Sequence, residues 1–165
     1  LTAKSKLVCG WLAVILIIDQ LTKFIVDQTM PLHHSIPVID NFFSLTYIRN
    51  TGAAFGIFAG SHAAYRLPFL IVVSLAAITF VITMLRRLPE KEKGLITALS
   101  LILGGAIGNL IDRIIYGEVI DFLDFYWQSY HWPAFNVADS CITIGVSITA
   151  YYLIKARGQD PFAVS

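Results

Sequence analysis

From Leu67 to Leu85 the chain runs without one charged side chain. A helix needs about 20 residues to cross a hydrocarbon core roughly 30 Å thick, and this run is of that length. Inside lipid no water is available to backbone N–H and C=O groups. A single spanning segment must satisfy them within itself, which an α-helix does. Three further apolar runs have similar length, at about residues 7–26, 95–114 and 136–154. Overall 56% of the 165 residues are hydrophobic and 14% charged, where a soluble domain carries about 45–50% and 25%. The expected fold is an all-α membrane protein, one integral membrane domain over residues 1–165 with four transmembrane helices.

The flanks of those runs set an orientation. Lys4 and Lys6 precede the first, Arg86, Arg87, Lys91 and Lys93 join the second to the third, and Lys155 and Arg157 follow the fourth. In a four-span topology all of these lie on one side, and basic loops mark the cytoplasmic side. Both termini are therefore expected in the cytoplasm. Two external segments, about 27–66 and 116–135, lie on the other face. The first includes Phe43-Ser44-Leu45-Thr46-Tyr47-Ile48-Arg49, an apolar–polar alternation that predicts a strand in a small β-rich segment, and then Asn50-Thr51-Gly52, which reads as a turn. The second is rich in aromatics, among them Phe122, Phe125, Tyr126, Trp127, Tyr130 and Trp132. Such rings favour the headgroup level, and a short interfacial helix is expected there.

Several classes fall away. A net charge of +1 supplies no basic field for nucleic acid. Cys9 and Cys141 fall near opposite faces of the bilayer, too far apart for a disulfide, so both are expected as free thiols. The first apolar run continues into Asp19-Gln20-Leu21-Thr22-Lys23 without a small-residue cleavage site, which predicts a retained span rather than a cleaved leader. The chain opens at Leu1 rather than Met, as expected if a few residues have been trimmed. His33 and His34 are adjacent on a loop rather than i,i+4 on a helix, so no metal site is expected. Gly60-Ser61-His62 places Ser beside His in sequence, which does not orient an imidazole onto a hydroxyl.

The polar residues that remain in or beside the spans carry the functional signal, because ionisable groups there are expensive. Asp19 and Lys23 are i,i+4 on one helical face, acid before base, either a mutually neutralising pair or a contact for substrate. In the third run Gly104 and Gly108 form a small-xxx-small stripe suited to close helix packing. Asn109 and Arg113 extend along a neighbouring stripe. Asp121 follows the third run and Asp139 opens the fourth, and sequential antiparallel spans usually pack together. Two neighbouring carboxylates do not both ionise easily, which yields a general base and a general acid from one residue type. Capping of a helix end is the competing reading for Asp139, and Asp112 and Asp124 are rival carboxylates at similar depth. A proton- or ion-coupled transporter is the alternative from another class. Such sites tend to lie at the midplane between internal repeats, and neither feature is visible here.

Five blocks occur in order: DQLTK at 19–23, RNTGAAF at 49–55, GGAIGNLIDR at 104–113, VIDF at 119–122 and FNVADS at 135–140. Together they resemble lipoprotein signal peptidase (signal peptidase II), the aspartic peptidase of the bacterial cytoplasmic (inner) membrane. The resemblance implies a catalytic dyad of Asp121 and Asp139. It also implies that Asp19, Lys23, Asn50, Gly105, Asn109, Arg113, Asn136 and Ala138 position substrate or hold the dyad in place. No cofactor and no metal are implied. The implied substrate is a diacylglyceryl-modified prolipoprotein, cut just before its lipidated lipobox Cys at the outer face of the membrane. Membrane lipid and globomycin-type cyclic peptide inhibitors are the other implied partners, and the working unit is expected to be a monomer.

Overall fold

The computed structural model describes residues 2–52 and 63–155. Ala53-Ala54-Phe55 of the second block, the Ser61–His62 neighbours and Arg157 lie outside the described residues.

Among the described residues four long helices and four strands follow in the order α1 (Ala3–Thr29), β1 (Ser35–Ile39), β2 (Phe43–Asn50), α2 (Ala63–Arg87), α3 (Lys93–Tyr116), β3 (Val119–Trp127), β4 (Tyr130–His131) and α4 (Val137–Lys155). All four helices are long and apolar enough to cross a membrane. α1, α2 and α3 extend at both ends beyond the apolar runs that predict them, where flanking residues continue the hydrogen-bond ladder, and α4 is shifted by one residue. Thr2, for instance, caps α1 by accepting from the Ser5 N–H at 3.2 Å.

Helix α3 is the axis of the bundle. In its most apolar stretch 67% of residues are buried inside the protein, against 17% in α1 and 11% in α2 and in α4. The outer helices instead turn large apolar side chains outward, Ile17 at 65% exposure and Phe80 at 65%. That inversion is favourable where lipid is the solvent. Helix α2 seals one flank of α3 through Val81, Leu85, Leu88, Leu95, Leu99 and Leu103. Cys9 and Cys141 are free thiols.

The strands form one antiparallel sheet in the order β1-β2-β3-β4. β1 is fully exposed at the edge and carries Pro37, which cannot donate to a ladder and is at home on an edge strand. β2 forms where the alternation predicts a strand, although its polar members Ser44 and Thr46 are the buried ones in its first half, and Asn50 accepts the Gly52 N–H at 2.9 Å as the predicted turn requires. The sheet is seated on the end of α1 by a second apolar cluster, Val26, Met30, Tyr47, Ile120 and Phe122.

The short helix expected within 116–135 does not form. Gly117, at φ 76°, ends α3 in the left-handed region, and the chain leaves directly as β3, paired with β2 so that Ile48 faces Asp121 and Asn50 faces Val119. The aromatics that suggested an interfacial helix are also strong strand formers. Beside β2, an available partner edge decides between the two conformations. The difference matters for the site. On a helix Asp121 and Asp124, three apart, would share a face; on a strand they point to opposite faces.

Candidate active site

Asp121 and Asp139 line a common cavity of ≈ 480 Å³ together with Asn50, Asn109 and Arg113. Trp132, Phe135 and Ile142 add apolar walls. Asp121 arrives on β3, and its Oδ2 accepts from Asn50 Nδ2 at 2.9 Å, a diagonal neighbour across the sheet. Asp139 arrives in the first turn of α4.

Asn136, fully buried, joins the two carboxylates. Its Nδ2 donates to Asp121 Oδ1 at 2.8 Å, while its Oδ1 accepts from the Asp139 N–H at 2.9 Å. Asp139 Oδ2 in turn accepts the Asn136 N–H at 3.3 Å. This is a reciprocal capping arrangement at the start of α4, so the capping reading of Asp139 holds for one carboxylate oxygen. The other oxygen accepts from Asn109 Nδ2 at 2.7 Å. Arg113 donates from one guanidinium nitrogen to the Gly52 carbonyl at 3.2 Å, which ties the turn after β2 to α3.

The Asp121 carboxyl is pushed up to about 7 from the usual 3.8. Burial is the largest cause, the negative charge of Asp139 adds to it, and the amides of Asn50 and Asn136 act the other way. The pair can therefore take up and release a proton near neutral pH.

Behind the cavity lies a second polar layer. Asp19 and Lys23 form the expected i,i+4 pair at 2.9 Å, at 0% and 2% exposure. Asp112 completes it, also 2.9 Å from Lys23 Nζ, and Gln20 donates to Asp112 Oδ1 at 3.0 Å. Sequence reasoning left Asp112 a rival dyad member and gave Gln20 no role; what identifies them is the helix register between α1 and α3. Ala138 is fully buried. Gly105 lies where a Cβ would run into the Ala138 carbonyl, so only glycine allows α4 this close to α3. Of the expected site residues, then, five line the cavity and Asn136, Ala138, Asp19, Lys23 and Gly105 stand behind it.

Asp124 belongs elsewhere. On the opposite face of β3 it accepts from Thr46 Oγ1 at 3.0 Å and sits 2.9 Å from His131 Nδ1. That pairing pins β4 to the sheet, and the His131 ring stacks on Tyr126.

Residues 11–155 match the family described as Signal peptidase (SPase) II. The chain belongs to the signal peptidase II family. Among its relatives are the lipoprotein signal peptidases of Geobacter sulfurreducens, 54% identical over 85% of this chain and 86% of that one, and of Geobacter metallireducens, 52% identical over 87% of each. A bacterial membrane enzyme solved at 2.3 Å by the in meso method superposes with a TM-score of 0.83 at 33% identity, over 96% of this chain and 94% of the other. Membership in signal peptidase II makes the chain a multi-pass membrane peptidase and leaves the transporter alternative without support.

Proposed function

We propose that this signal peptidase II removes the signal peptide from diacylglyceryl-modified prolipoproteins with Asp121 and Asp139 as its catalytic dyad. The observation that carries the assignment is the shared cavity: both carboxylates border it, linked through Asn136, while Asp112 and Asp124 are engaged elsewhere. In the resting pair one proton is shared between the two carboxyls. The ionised carboxylate takes a proton from water as the oxygen adds to the scissile carbonyl carbon, and the C–N bond then breaks as the pair returns a proton to the leaving amine. The products are a signal peptide ending in a carboxylate and a mature protein beginning with the lipidated Cys. Neither a metal nor a covalent intermediate takes part.

The basic ends of the helices support cytoplasmic termini and a site at the outer face of the bacterial inner membrane. There the signal peptide's apolar helix can lie against the bundle while the diacyl chains stay in lipid. Each buried CH₂ is worth about 0.8 kcal/mol, so lipid contributes much of the affinity. A cyclic peptide of the globomycin type would block the reaction by occupying the cavity beside the two carboxylates, and one chain holds every group the reaction needs.

Processing of a diacylglyceryl-modified prolipoprotein by the purified protein in detergent, read as a gel shift, tests the assignment. Asp121→Asn and Asp139→Asn should each lower turnover about 10²–10⁴-fold, and Asp124→Asn should keep it. A dead Asp124→Asn beside an active Asp121→Asn would move the site to the other face of β3.

A further inference from the structure

Lys23 does not line the cavity, yet each of its three acceptors also holds a group at or beside one of the two carboxylates. Its ammonium has three donors and three acceptors around it: Asp19 Oδ2 at 2.9 Å, Asp112 Oδ2 at 2.9 Å and Asn109 Oδ1 at 3.1 Å. Each acid it bridges also grips a backbone amide. Asp19 Oδ1 accepts the Ala138 N–H at 2.9 Å, and Asp112 Oδ2 accepts the Ile120 N–H at 3.2 Å. Ala138 and Ile120 are the residues immediately before Asp139 and Asp121.

The third contact acts on Asp139 itself. Asn109 is an amide with one acceptor end and one donor end. Lys23 can only donate, and with Asn136 Nδ2, which donates to the same oxygen at 3.2 Å, it fixes Asn109 Oδ1 and leaves Nδ2 to donate to Asp139 Oδ1. A reversed amide would set a carbonyl oxygen against a carboxylate oxygen.

We propose that Lys23 is a positioning residue that sets the separation and orientation of the dyad. It does so through a latch in which Asp19 holds the start of α4, Asp112 holds the start of β3, and Asn109 is kept pointing its N–H at Asp139. The latch rests on the dyad reading above and extends it to groups that never meet substrate. A neutral ion cluster would need only charge balance, whereas this one has a directional partner at each of three ammonium hydrogens. The acids reach two different elements, each one residue from a reacting group. Misplacement of reacting groups by 1 Å can cost about 10²-fold in rate.

The decisive variant removes the charge problem along with the lysine. Lys23→Met alone strands two buried carboxylates and should fold poorly. The triple variant Lys23→Met, Asp19→Asn, Asp112→Asn strands none, and both new amide oxygens can still accept the Ala138 and Ile120 N–H groups. In the gel-shift assay, with wild type cleaving alongside to establish the activity, the triple variant should melt near wild type. Its kcat should fall by about 10–10²-fold with KM within about twofold, the pattern of an interaction realised in the transition state. Asp19→Asn alone keeps an oxygen on the Ala138 N–H but sets an amide N–H against Lys23 Nζ, so it breaks one arm of the latch and should lower kcat by less than the triple variant does. A triple variant with wild-type melting and wild-type kcat would overturn the proposal and reduce Lys23 to a counter-charge. A rise in KM with kcat unchanged would overturn it too, by placing Lys23 in substrate binding.

Discussion

Holding a carboxyl protonated near neutral pH costs stability, and the cost at Asp121 can be measured. Unfolded, Asp121 ionises around 3.8; folded, it does so at about 7. A group with a raised folded value favours the fold fully below the unfolded value and loses that advantage as pH rises through the folded one. Between pH 4 and 7 the unfolded chain therefore gives up a proton that the folded chain keeps, and stability falls with pH. About three units at 1.36 kcal/mol each amounts to roughly 4 kcal/mol by pH 7 and above, with little further change beyond. Asp121→Asn removes the titration. It also turns one amide N–H toward Asn50 or Asn136, both of which donate to this carboxylate in the wild type, and so adds a penalty that does not vary with pH. The slope is therefore the quantity to read. Melting followed by intrinsic fluorescence in one detergent at pH 4, 5, 6, 7 and 8 should show wild type falling relative to the variant by something of the order of 10 °C across the range. The gap should open between pH 4 and 7 and then level off. Parallel curves for the two proteins would refute the reasoning, since they would mean that Asp121 titrates alike in the folded and unfolded chains.

Three further substitutions probe the scaffold. Gly105→Ala places a methyl against the Ala138 carbonyl and should push α4 off α3, costing about 1–3 kcal/mol and most of the turnover, because Asp139 rides on α4; Gly10→Ala, with nothing within 4 Å, should change neither melting nor processing. His131→Ala removes the partner of Asp124 on a half-exposed ring and should lower stability by no more than about 1 kcal/mol while processing continues within about threefold; loss of turnover there would show that β4 acts on the cavity.

What could be read from the sequence divides along a physical line. Apolar run length reports helices in lipid, because backbone satisfaction leaves few alternatives, and the four spans were legible for that reason. The alternation in Phe43–Asn50 likewise exposed β2. β3 was not legible, because aromatic and β-branched residues are at home both on a strand and at a membrane interface; its state depends on β2 being there to pair with. Asp19 with Lys23 could be seen as a pair because four residues on one helix fix their geometry locally. Asp112 as the second partner could not, since it depends on how α1 is set against α3.

That register is written in the glycines, in a form that only the folded chain makes readable. Gly104 and Gly108 form a stripe suited to close approach, but a stripe does not say which helix fills it. Both turn out to face α1: a Cβ on Gly104 would stand 2.9 Å from Ile15 Cδ1, and one on Gly108 2.5 Å from Asp19 Oδ2. Gly105, one step around the helix, instead receives α4 at Ala138. A single turn of α3 stripped of side chains therefore admits two helices at once. Their meeting there is what brings an α1 carboxylate within 2.9 Å of an α4 backbone N–H. A larger side chain at either face would part Asp19 from Ala138 without touching Asp121 or Asp139. The apparently bland glycine block is thus as much a condition of the dyad's geometry as the charged residues around it.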